Sequence, residues 1–495
     1  MPILPNQIAR AWQIAVATML LSACQTPSAI DDSTVALDVP ENFVAVPKTA
    51  IAQLEQQNLL TLNRWLANVD NQALGEIISK AIADNRQLKI TRLQLQQAEQ
   101  GLIISGATDW PELSLNVNQA RRKNVQGEQQ NYTSSAELSV DLSYELDVWG
   151  KLSAQQQQSQ LQFKIAKANY AQALANLTAD IVSKWYTLAE AQQLLSLYSE
   201  RAENLQANLE QIKASYRLGL NQALDVYLTQ NDVSSELARL AQQQQAVNEA
   251  SRALQLVLGD YPSASLRSDA QLPDLTADSY VGMPSDLVTR RYDLNASWFA
   301  LLEKDAALAV AHKNRFPRFA ISASGGTSAS ALDELLDGSS LAWSLIGNIS
   351  QPIFNAGRLE ALEQQAFNDV KIAEQRYLDN VYQAFSEIEN GIERQSTLTE
   401  RLQHFTDASE NASAAEKLAF DQYLKGIVSY TTVLESQRRA FDAQTALIQL
   451  KAQLLQNQLA LALSVGGFQA DNYDNSRSFP SSLARSTQQS SQPSY

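Results

Sequence analysis

Two stretches of this chain are too long and too uninterrupted to fit inside an ordinary globular core. Residues 151–218 contain neither glycine nor proline, and residues 358–425 contain no proline and a single glycine. Both stretches are 68 residues long, and both lie between two glycines. At about 1.5 Å per residue, each predicts one helix about 100 Å long, several times the average in globular proteins. The sequence therefore predicts a structure built on two long helices.

The composition favours long helices and excludes several functional classes. Glycine (17) and proline (13) are scarce among the 495 residues. The net charge of −15 argues against a nucleic-acid partner, because binding of nucleic acid needs a basic face. The two histidines, His312 and His404, match no metal-ligand spacing. Because no P-loop, G-x-S-x-G elbow or catalytic cluster is present, we expect no enzyme activity, no catalytic residue, no cofactor and no metal.

The first residues have the pattern of a lipoprotein export signal. Arg10 supplies a positive charge, an apolar run follows it, and residues 21–24 read Leu-Ser-Ala-Cys. This tetrapeptide resembles the lipobox of bacterial lipoproteins, which predicts a signal peptide over residues 1–23 and acylation of Cys24. A secretory signal with an incidental cysteine is the alternative. Gln25 follows the cysteine, which by resemblance to sorted lipoproteins favours the outer membrane.

The periodicity of apolar residues changes along the next part of the chain. Residues 72–108 have helical spacing, and Pro111 ends this pattern. Apolar and polar residues then alternate over residues 113–117 and 136–144, on either side of a polar turn around Gly127. Alternation on both sides of a turn predicts a β-hairpin that leads into the first long helix.

The second half of the chain repeats the order of the first. An offset of 207 residues carries Gly150 to Gly357 and Tyr216 to Tyr423 without a net gap. Tandem duplication explains this agreement better than chance. The predicted segments are a signal peptide (1–23), a lipid-anchored tether with a first helix (24–70), a first repeat (71–265), a linker (266–284), a second repeat (285–467) and a disordered Ser- and Gln-rich tail (468–495). Each repeat holds a helix, a hairpin, a long helix and a short helix.

The short helices that follow the long ones carry a strict seven-residue apolar period, from Val226 to Leu254 and from Val433 to Leu461. A sustained period of this kind predicts helices that coil left-handedly around their neighbours. In each half, the two shorter helices together match one long helix in length. The pattern therefore predicts a mainly α fold, a helical barrel in which two short helices lie beside each long one.

Four short amphipathic strands are predicted, the second pair at residues 319–323 and 341–349. About ten tilted residues suffice for a transmembrane β-strand, whereas no apolar run of about 20 residues predicts a transmembrane helix. Four strands cannot close, and open edges are unstable in lipid. Two, three or four copies of the chain would give a barrel of 8, 12 or 16 strands. Small soluble sheets that cap a helical bundle are the alternative.

Three motifs resemble the TolC-like outer-membrane efflux factors, and more narrowly their NodT-type lipoprotein branch. Residues 144–152 (YELDVWGKL) resemble that branch's YELDLWGKL, and residues 352–358 (PIFNAGR) resemble PIFDGGR. Residues 290–294 (RRYDL) resemble RRPDL, with Tyr292 in place of proline. The resemblance implies a homotrimer with a 12-stranded barrel in the outer membrane and a long α-helical tunnel through the periplasm. It also implies docking to a periplasmic adaptor and an inner-membrane pump.

The turns after the two long helices, at Gly219 and Gly426, are the candidate functional site. Glycine suits the left-handed residue that ends a helix, and Asp225 and Glu435 near the starts of the returning helices suit the helix dipole. The resemblance adds a gate, because family members close this tip with an acidic ring and with Tyr- and Asp-centred contacts. The matching residues are Asp225, Tyr423 and Glu435.

Two departures from the family pattern lie nearby, since Thr432 and Val428 occupy positions where some members carry Asp and Arg. The constriction is therefore expected to hold fewer charges. We hypothesise that three copies of Glu435 form a ring that makes the pore cation-selective.

The function expected from these observations is passive conduction of small molecules such as drugs from an inner-membrane pump and a periplasmic adaptor to the outside. An outer-membrane conduit for type I protein secretion is the first alternative. A lipid-anchored coiled-coil scaffold is the second, although it leaves the amphipathic hairpins unexplained.

Overall fold

The computed structural model describes residues 29–30, 43–45, 60–69, 71–268, 271–273, 284–333, 335 and 340–468. The predicted signal peptide, Cys24, the start of the first helix, part of the predicted linker and nearly all of the predicted tail lie outside the described residues.

The first half of the described chain holds five helices and two strands. In chain order they are α1 (Leu62–Val69), α2 (Gln72–Asp84), α3 (Arg86–Ala107), β1 (Glu112–Gln126), β2 (Gln129–Leu146), α4 (Lys151–Arg217) and α5 (Ala223–Val257).

The second half repeats the order that the first half shows from α2 onward. Its elements are α6 (Pro284–Arg290), α7 (Tyr292–Lys313), β3 (Arg318–Ala329), β4 (Ala342–Ser350), α8 (Arg358–Leu424) and α9 (Tyr430–Ser464). The long helices α4 and α8 have 67 residues each, and the returning helices α5 and α9 have 35 each. The two predicted long helices are therefore confirmed to within one residue. None of the described helices carries an apolar run sufficient to span a bilayer.

The prediction of one continuous helix over residues 72–108 is wrong, because the helix is broken at Asn85, between α2 and α3. The Asn85 side chain accepts a hydrogen bond from the Leu88 N–H (2.9 Å) and donates one to the Val257 carbonyl (2.8 Å). Arg291 breaks the equivalent helix of the second half, and its guanidinium donates to the Ser464 carbonyl (3.2 Å). Each break thus ties the helix to the end of the returning helix of its own half. The apolar spacing continues across the break, so the sequence pattern does not reveal it.

The four strands form one antiparallel sheet in the order β1-β2-β3-β4. Both predicted hairpins are confirmed, but β1 and β2 have 15 and 18 residues rather than about ten. One row across the sheet joins Leu115, Val140, Gly325 and Trp343. Because facing residues share one side of a sheet, the apolar side chains collect on one face and Ser, Asn and Asp side chains on the other.

Residues 144–152 form the junction between β2 and α4. The Asp147 carboxylate accepts hydrogen bonds from two backbone N–H groups in the first turn of α4, at 2.8 and 2.9 Å. The Trp149 indole donates to the Pro317 carbonyl (2.7 Å), and Gly150 has a positive φ of 73°. The motif therefore caps the long helix and redirects the chain out of the sheet.

The described residues divide into two compact units that cut across the sequence halves. The first unit contains the sheet, Leu93–Ala168 and Leu294–Asn380. Its apolar core holds Leu301, Leu308 and Val370, and Ala29 packs against them.

The second unit contains the helix turns and draws on Val39–Arg92, Asn169–Asp293 and Val381–Tyr495. Its main core includes Trp185 and Tyr186. Phe43 is buried in the same core, although it belongs to the predicted tether. The predicted repeat and linker boundaries stay a prediction.

Candidate functional site

The candidate site lies in the second unit, where each long helix turns back. Gly219 follows α4 with a φ of 72°, and Gly426 follows α8 with a φ of 71°. The Gly219 N–H donates to the Tyr216 carbonyl (2.9 Å) and the Leu220 N–H to the Ser215 carbonyl (3.0 Å). The same pair of bonds occurs around Gly426. These two bonds form a Schellman motif, in which the left-handed glycine satisfies the last carbonyl groups of the helix.

The two turns expose apolar side chains. Leu218, Leu220 and Ile427 are 76%, 74% and 67% exposed. Further exposed residues near the turns are Leu224, Tyr227 and Leu424. Several large apolar side chains exposed together near helix ends are typical of a surface that binds another protein.

The structure brings Tyr423 and Asp225 together. Tyr423 lies at the end of α8, and its hydroxyl donates to Asp225 Oδ2 across 3.4 Å. Asp225 lies in the first turn of α5. The ring of Tyr423 also contacts that of Tyr430, with centroids 5.2 Å apart. Both tyrosines are buried in a small apolar cluster with Ile212, one further residue of α8 and one further residue of α9. This contact ties the tip of one half to the tip of the other.

Both tyrosines resist ionisation. Burial, reinforced by the Asp225 carboxylate, raises the pKa of Tyr423 to about 12. Burial raises the pKa of Tyr430 to about 12 as well. The Tyr423 hydroxyl therefore keeps its proton at neutral pH and remains a donor to the carboxylate.

Glu435 lies apart from this contact. It occupies the second turn of α9, is 43% exposed, and forms ion pairs with Arg438 (2.6 Å) and Arg439 (2.9 Å) of the same helix. Hydrogen bonding to Arg439 and the charge of both arginines lower the pKa of the Glu435 carboxyl. Within one chain, the predicted acidic position is therefore accompanied by two cations.

The two positions that depart from the family pattern carry uncharged contacts. Val428 packs against the cluster around Tyr423. The Thr432 hydroxyl lies 3.2 Å from that of Ser429 at the start of α9. Neither residue supplies an ionic lock. Cys24, the predicted lipidation site, lies outside the described residues.

Sequence reasoning missed a buried charged cluster that lies on α4 and α5, farther along these helices from the turn at Gly219. Arg201 of α4 lies 3.1 Å from the Glu236 carboxylate of α5, which is almost fully buried. The guanidinium also covers the ring of Phe441 of α9 at 4.1 Å, and Tyr198 contacts the same ring at 4.9 Å. Arg201 therefore links three helices through one ion pair and one cation–π contact.

Burial shifts the pKa of Arg201 and of three carboxyl groups near it. It lowers the pKa of the Arg201 guanidinium and raises the pKa of the carboxyl groups of Asp232, Glu236 and Glu416. The heptad of α5 contains the signal that would have found the cluster. Thr229 and Glu236 lie three residues after Val226 and Val233, which is the second core position of the heptad. Both residues are buried.

Among the described residues, no three His, Cys, Asp or Glu side chains are grouped closely enough to hold a metal ion.

The fold is that of outer-membrane channels. The Campylobacter jejuni CmeC outer membrane channel is 20% identical with a TM-score of 0.80, and the match covers 88% of this chain and 94% of CmeC. The outer-membrane channel OprN is 23% identical with a TM-score of 0.79, and the match covers 88% of this chain and 98% of OprN.

A sequence model described as "Outer membrane efflux protein" matches residues 77–260 and again residues 283–467. The chain belongs to this family of outer-membrane efflux proteins, whose members are channels or transporters rather than enzymes. It is a protein of the outer membrane that extends into the periplasm. The predicted resemblance to TolC-like efflux factors is confirmed.

Named relatives agree with this assignment. The toluene efflux pump outer membrane protein TtgF of Pseudomonas putida is 28% identical over 423 residues, which cover 84% of this chain and 87% of TtgF. The cation efflux system protein CusC of Escherichia coli is 24% identical over 409 residues, which cover 81% of this chain and 86% of CusC.

Proposed function

We propose that this protein is the outer-membrane channel of a tripartite efflux system, a homotrimer that passively conducts small molecules from a periplasmic adaptor and an inner-membrane pump to the outside. No catalytic step and no cofactor is required, because the pump supplies the energy. Three copies of the four-stranded sheet would close a barrel of 12 strands.

The main observation that supports this proposal is that the four-stranded sheet is not closed. β1 and β4 each have one neighbouring strand within the described residues, so each presents an unpaired edge. Leu113 and Leu115 on β1 and Trp343 and Leu345 on β4 are exposed at these edges. Unpaired backbone groups cost several kcal/mol each in lipid. Pairing of β1 with β4 of a neighbouring copy removes both edges.

The apolar helix turns support a protein partner on the periplasmic side. Leu218, Leu220 and Ile427 are exposed on two adjacent turns in the part of the chain that the structure describes. Relatives such as TtgF are named as the outer-membrane proteins of efflux pumps. We assign the turns to the adaptor, with the pump behind it.

The cargo is proposed to be small molecules or ions. Two relatives are named for toluene efflux and for cation efflux. A type I protein-secretion conduit remains the first alternative and a lipid-anchored scaffold the second. A deletion strain tested against a panel of drugs and solvents separates them, since only an efflux channel protects against these compounds.

Asp225 and Tyr423 are proposed to hold the periplasmic gate closed, with Glu435 as an acidic ring around the lumen. The variant Glu435→Gln leaves Arg438 and Arg439 without their carboxylate, so the channel should lose cation selectivity in a planar bilayer. Unchanged ion selectivity contradicts the acidic ring.

Two further proposals concern the origin and the anchoring of the chain. The equal lengths of α4 and α8, and of α5 and α9, support a tandem duplication. Acylation of Cys24 would add a lipid anchor to the membrane strands. Mass spectrometry of the mature N-terminus tests the anchor, and Cys24→Ser should remove the added acyl mass.

A further inference from the structure

One face of the first hairpin changes from apolar to basic along its length. Near the helices, Leu113, Leu115 and Val117 of β1 lie opposite Leu142, Val140 and Leu138 of β2. From Leu146 to Leu138, β2 extends eight residues, about 27 Å at about 3.4 Å per residue, which is about 21 Å of height at the usual strand tilt of about 40°. The apolar part of this face therefore covers most of the apolar band of about 25 Å found in outer-membrane barrels.

The same face continues beyond this band as a basic cluster. Arg121 and Lys123 lie on the same face of β1 as Val117, and Lys123 lies directly opposite Tyr132 of β2. The Arg121 guanidinium carbon lies 5.2 Å and the Lys123 ammonium 5.7 Å from the centroid of the Tyr132 ring. Both cations are exposed, and no carboxylate pairs with either one in the part of the chain that the structure describes.

The position of the basic cluster along the hairpin indicates which layer of the membrane surrounds it. Both ends of the hairpin join helices, so its turn at Gly127 is the end that faces away from the periplasm. Arg121 lies four residues beyond Val117, about 13 Å along the strand. That distance places the cluster at the headgroups of the outer leaflet, where a tyrosine ring is favoured at the boundary. Two neighbouring cations without a counter-ion repel each other, and an anion between them removes this repulsion.

We propose that Arg121, Lys123 and Tyr132 form a binding site for the phosphate groups of outer-leaflet lipid headgroups. The guanidinium binds phosphate oxygens in a planar, two-point geometry, and the ammonium adds a second charge. Such contacts are stronger at a membrane surface than in bulk water, because the effective dielectric constant is lower. The site would fix the depth of the sheet in the membrane. This inference rests on the proposed placement of the sheet in the bilayer.

The test measures binding of lipid A, a bisphosphorylated glycolipid, by the purified full-length protein in phosphatidylcholine nanodiscs. The variant Arg121→Gln with Lys123→Gln should bind lipid A about 30-fold more weakly, about five-fold for each cation. Arg122→Gln is the matched control, because Arg122 is the same kind of residue on the same strand but lies on the opposite face. It should bind lipid A as the unaltered protein does.

The outcomes separate this inference from the proposed function. Single-channel conductance of each variant checks the channel independently of lipid binding. A double variant that conducts and binds lipid A normally overturns the site, as does an equal loss in Arg122→Gln. Inorganic phosphate that displaces lipid A at equal concentration also overturns it, because the site would then recognise a free anion. If the double variant does not assemble, the single variants decide, with the expected five-fold loss in each.

Discussion

The hydroxyl of Tyr423 and the carboxylate of Asp225 lie 3.4 Å apart, although 198 residues separate them in the sequence. Tyr423 ends the long helix of the second half, and Asp225 begins the returning helix of the first. Their contact is therefore one of the places where the two helix turns are held to each other, and any outward movement of one turn relative to the other breaks it.

We predict that Tyr423→Phe with Asp225→Ala loosens the closed tip. A typical hydrogen bond contributes about 1 kcal/mol, so the open tip should become up to about five-fold more populated. Bilayer conductance should rise, and a normally excluded antibiotic should enter cells. Tyr216→Phe is the control, because Tyr216 is the equivalent residue of the first half and is exposed. A double variant that matches this control would show that the contact is not part of the gate.

Alkaline pH should open the same contact without mutation. The pKa of Tyr423 and that of Tyr430 are raised from 10 to about 12 in the folded protein, so the closed tip binds their protons more tightly than an opened one. The stabilisation is complete below pH 10 and is lost as the pH rises through about 12. Conductance should therefore increase over this range, and Tyr423→Phe with Tyr430→Phe should remove the dependence. A pH profile that the double variant leaves unaltered would assign the effect to other groups.

Removal of only one partner of the ion pair between Arg201 and Glu236 should lower the free energy of unfolding strongly. Glu236→Leu leaves the guanidinium buried without its carboxylate, which typically costs about 3–5 kcal/mol. Replacement of both partners, Arg201→Met with Glu236→Leu, should recover most of that loss, because an apolar pair needs no desolvation. Urea unfolding of the three proteins provides the comparison. A double variant as unstable as the single one would show that the helices need the charge itself.

Gly391, the single glycine within α8, should not tolerate alanine. A Cβ atom at this position would lie 2.4 Å from Leu461 Cδ2 of α9. Alanine normally stabilises a helix interior by about 1 kcal/mol relative to glycine, but overpacking costs about 1–3 kcal/mol. We expect Gly391→Ala to lower the thermal midpoint and Leu461→Ala to restore space for it. If Gly391→Ala raised the midpoint, the helices would not be in the close contact described.

The long helices were predictable because, apart from Gly391, glycine and proline lie only outside them. Residues 151–218 contain neither residue, residues 358–425 contain no proline, and Gly219 and Gly426 adopt the left-handed conformation that terminates each helix. The hairpins were predictable for a related reason, since an alternation of apolar residues fits only a strand with one apolar face.

The helix breaks at Asn85 and Arg291 were not predictable from periodicity. Each is stabilised by a side chain that reaches a carbonyl 172 or 173 residues away in sequence, on the end of another helix. A second surprise is Ala356, which has a φ of 52° although it carries a side chain. It occupies a position where the resembling PIFDGGR motif has glycine, so this departure places strain at the start of α8.

The candidate site was predictable only in part. Tyr423 and Asp225 were brought together by the fold, whereas the sequence places Glu435 near the turn without showing that Arg438 and Arg439 accompany it. The partners of a surface carboxylate depend on rotamers that a helical pattern does not specify. The buried position of Glu236, by contrast, follows from the heptad once its polar core position is considered.

Single-channel recording of the purified full-length protein in a planar bilayer tests the proposed channel most directly. An assembled channel gives discrete conductance steps, and these steps become larger or longer in Tyr423→Phe with Asp225→Ala. A protein that inserts into the bilayer as a stable, folded oligomer and yet gives no steps, in either form, would contradict the assignment of this chain as an efflux channel.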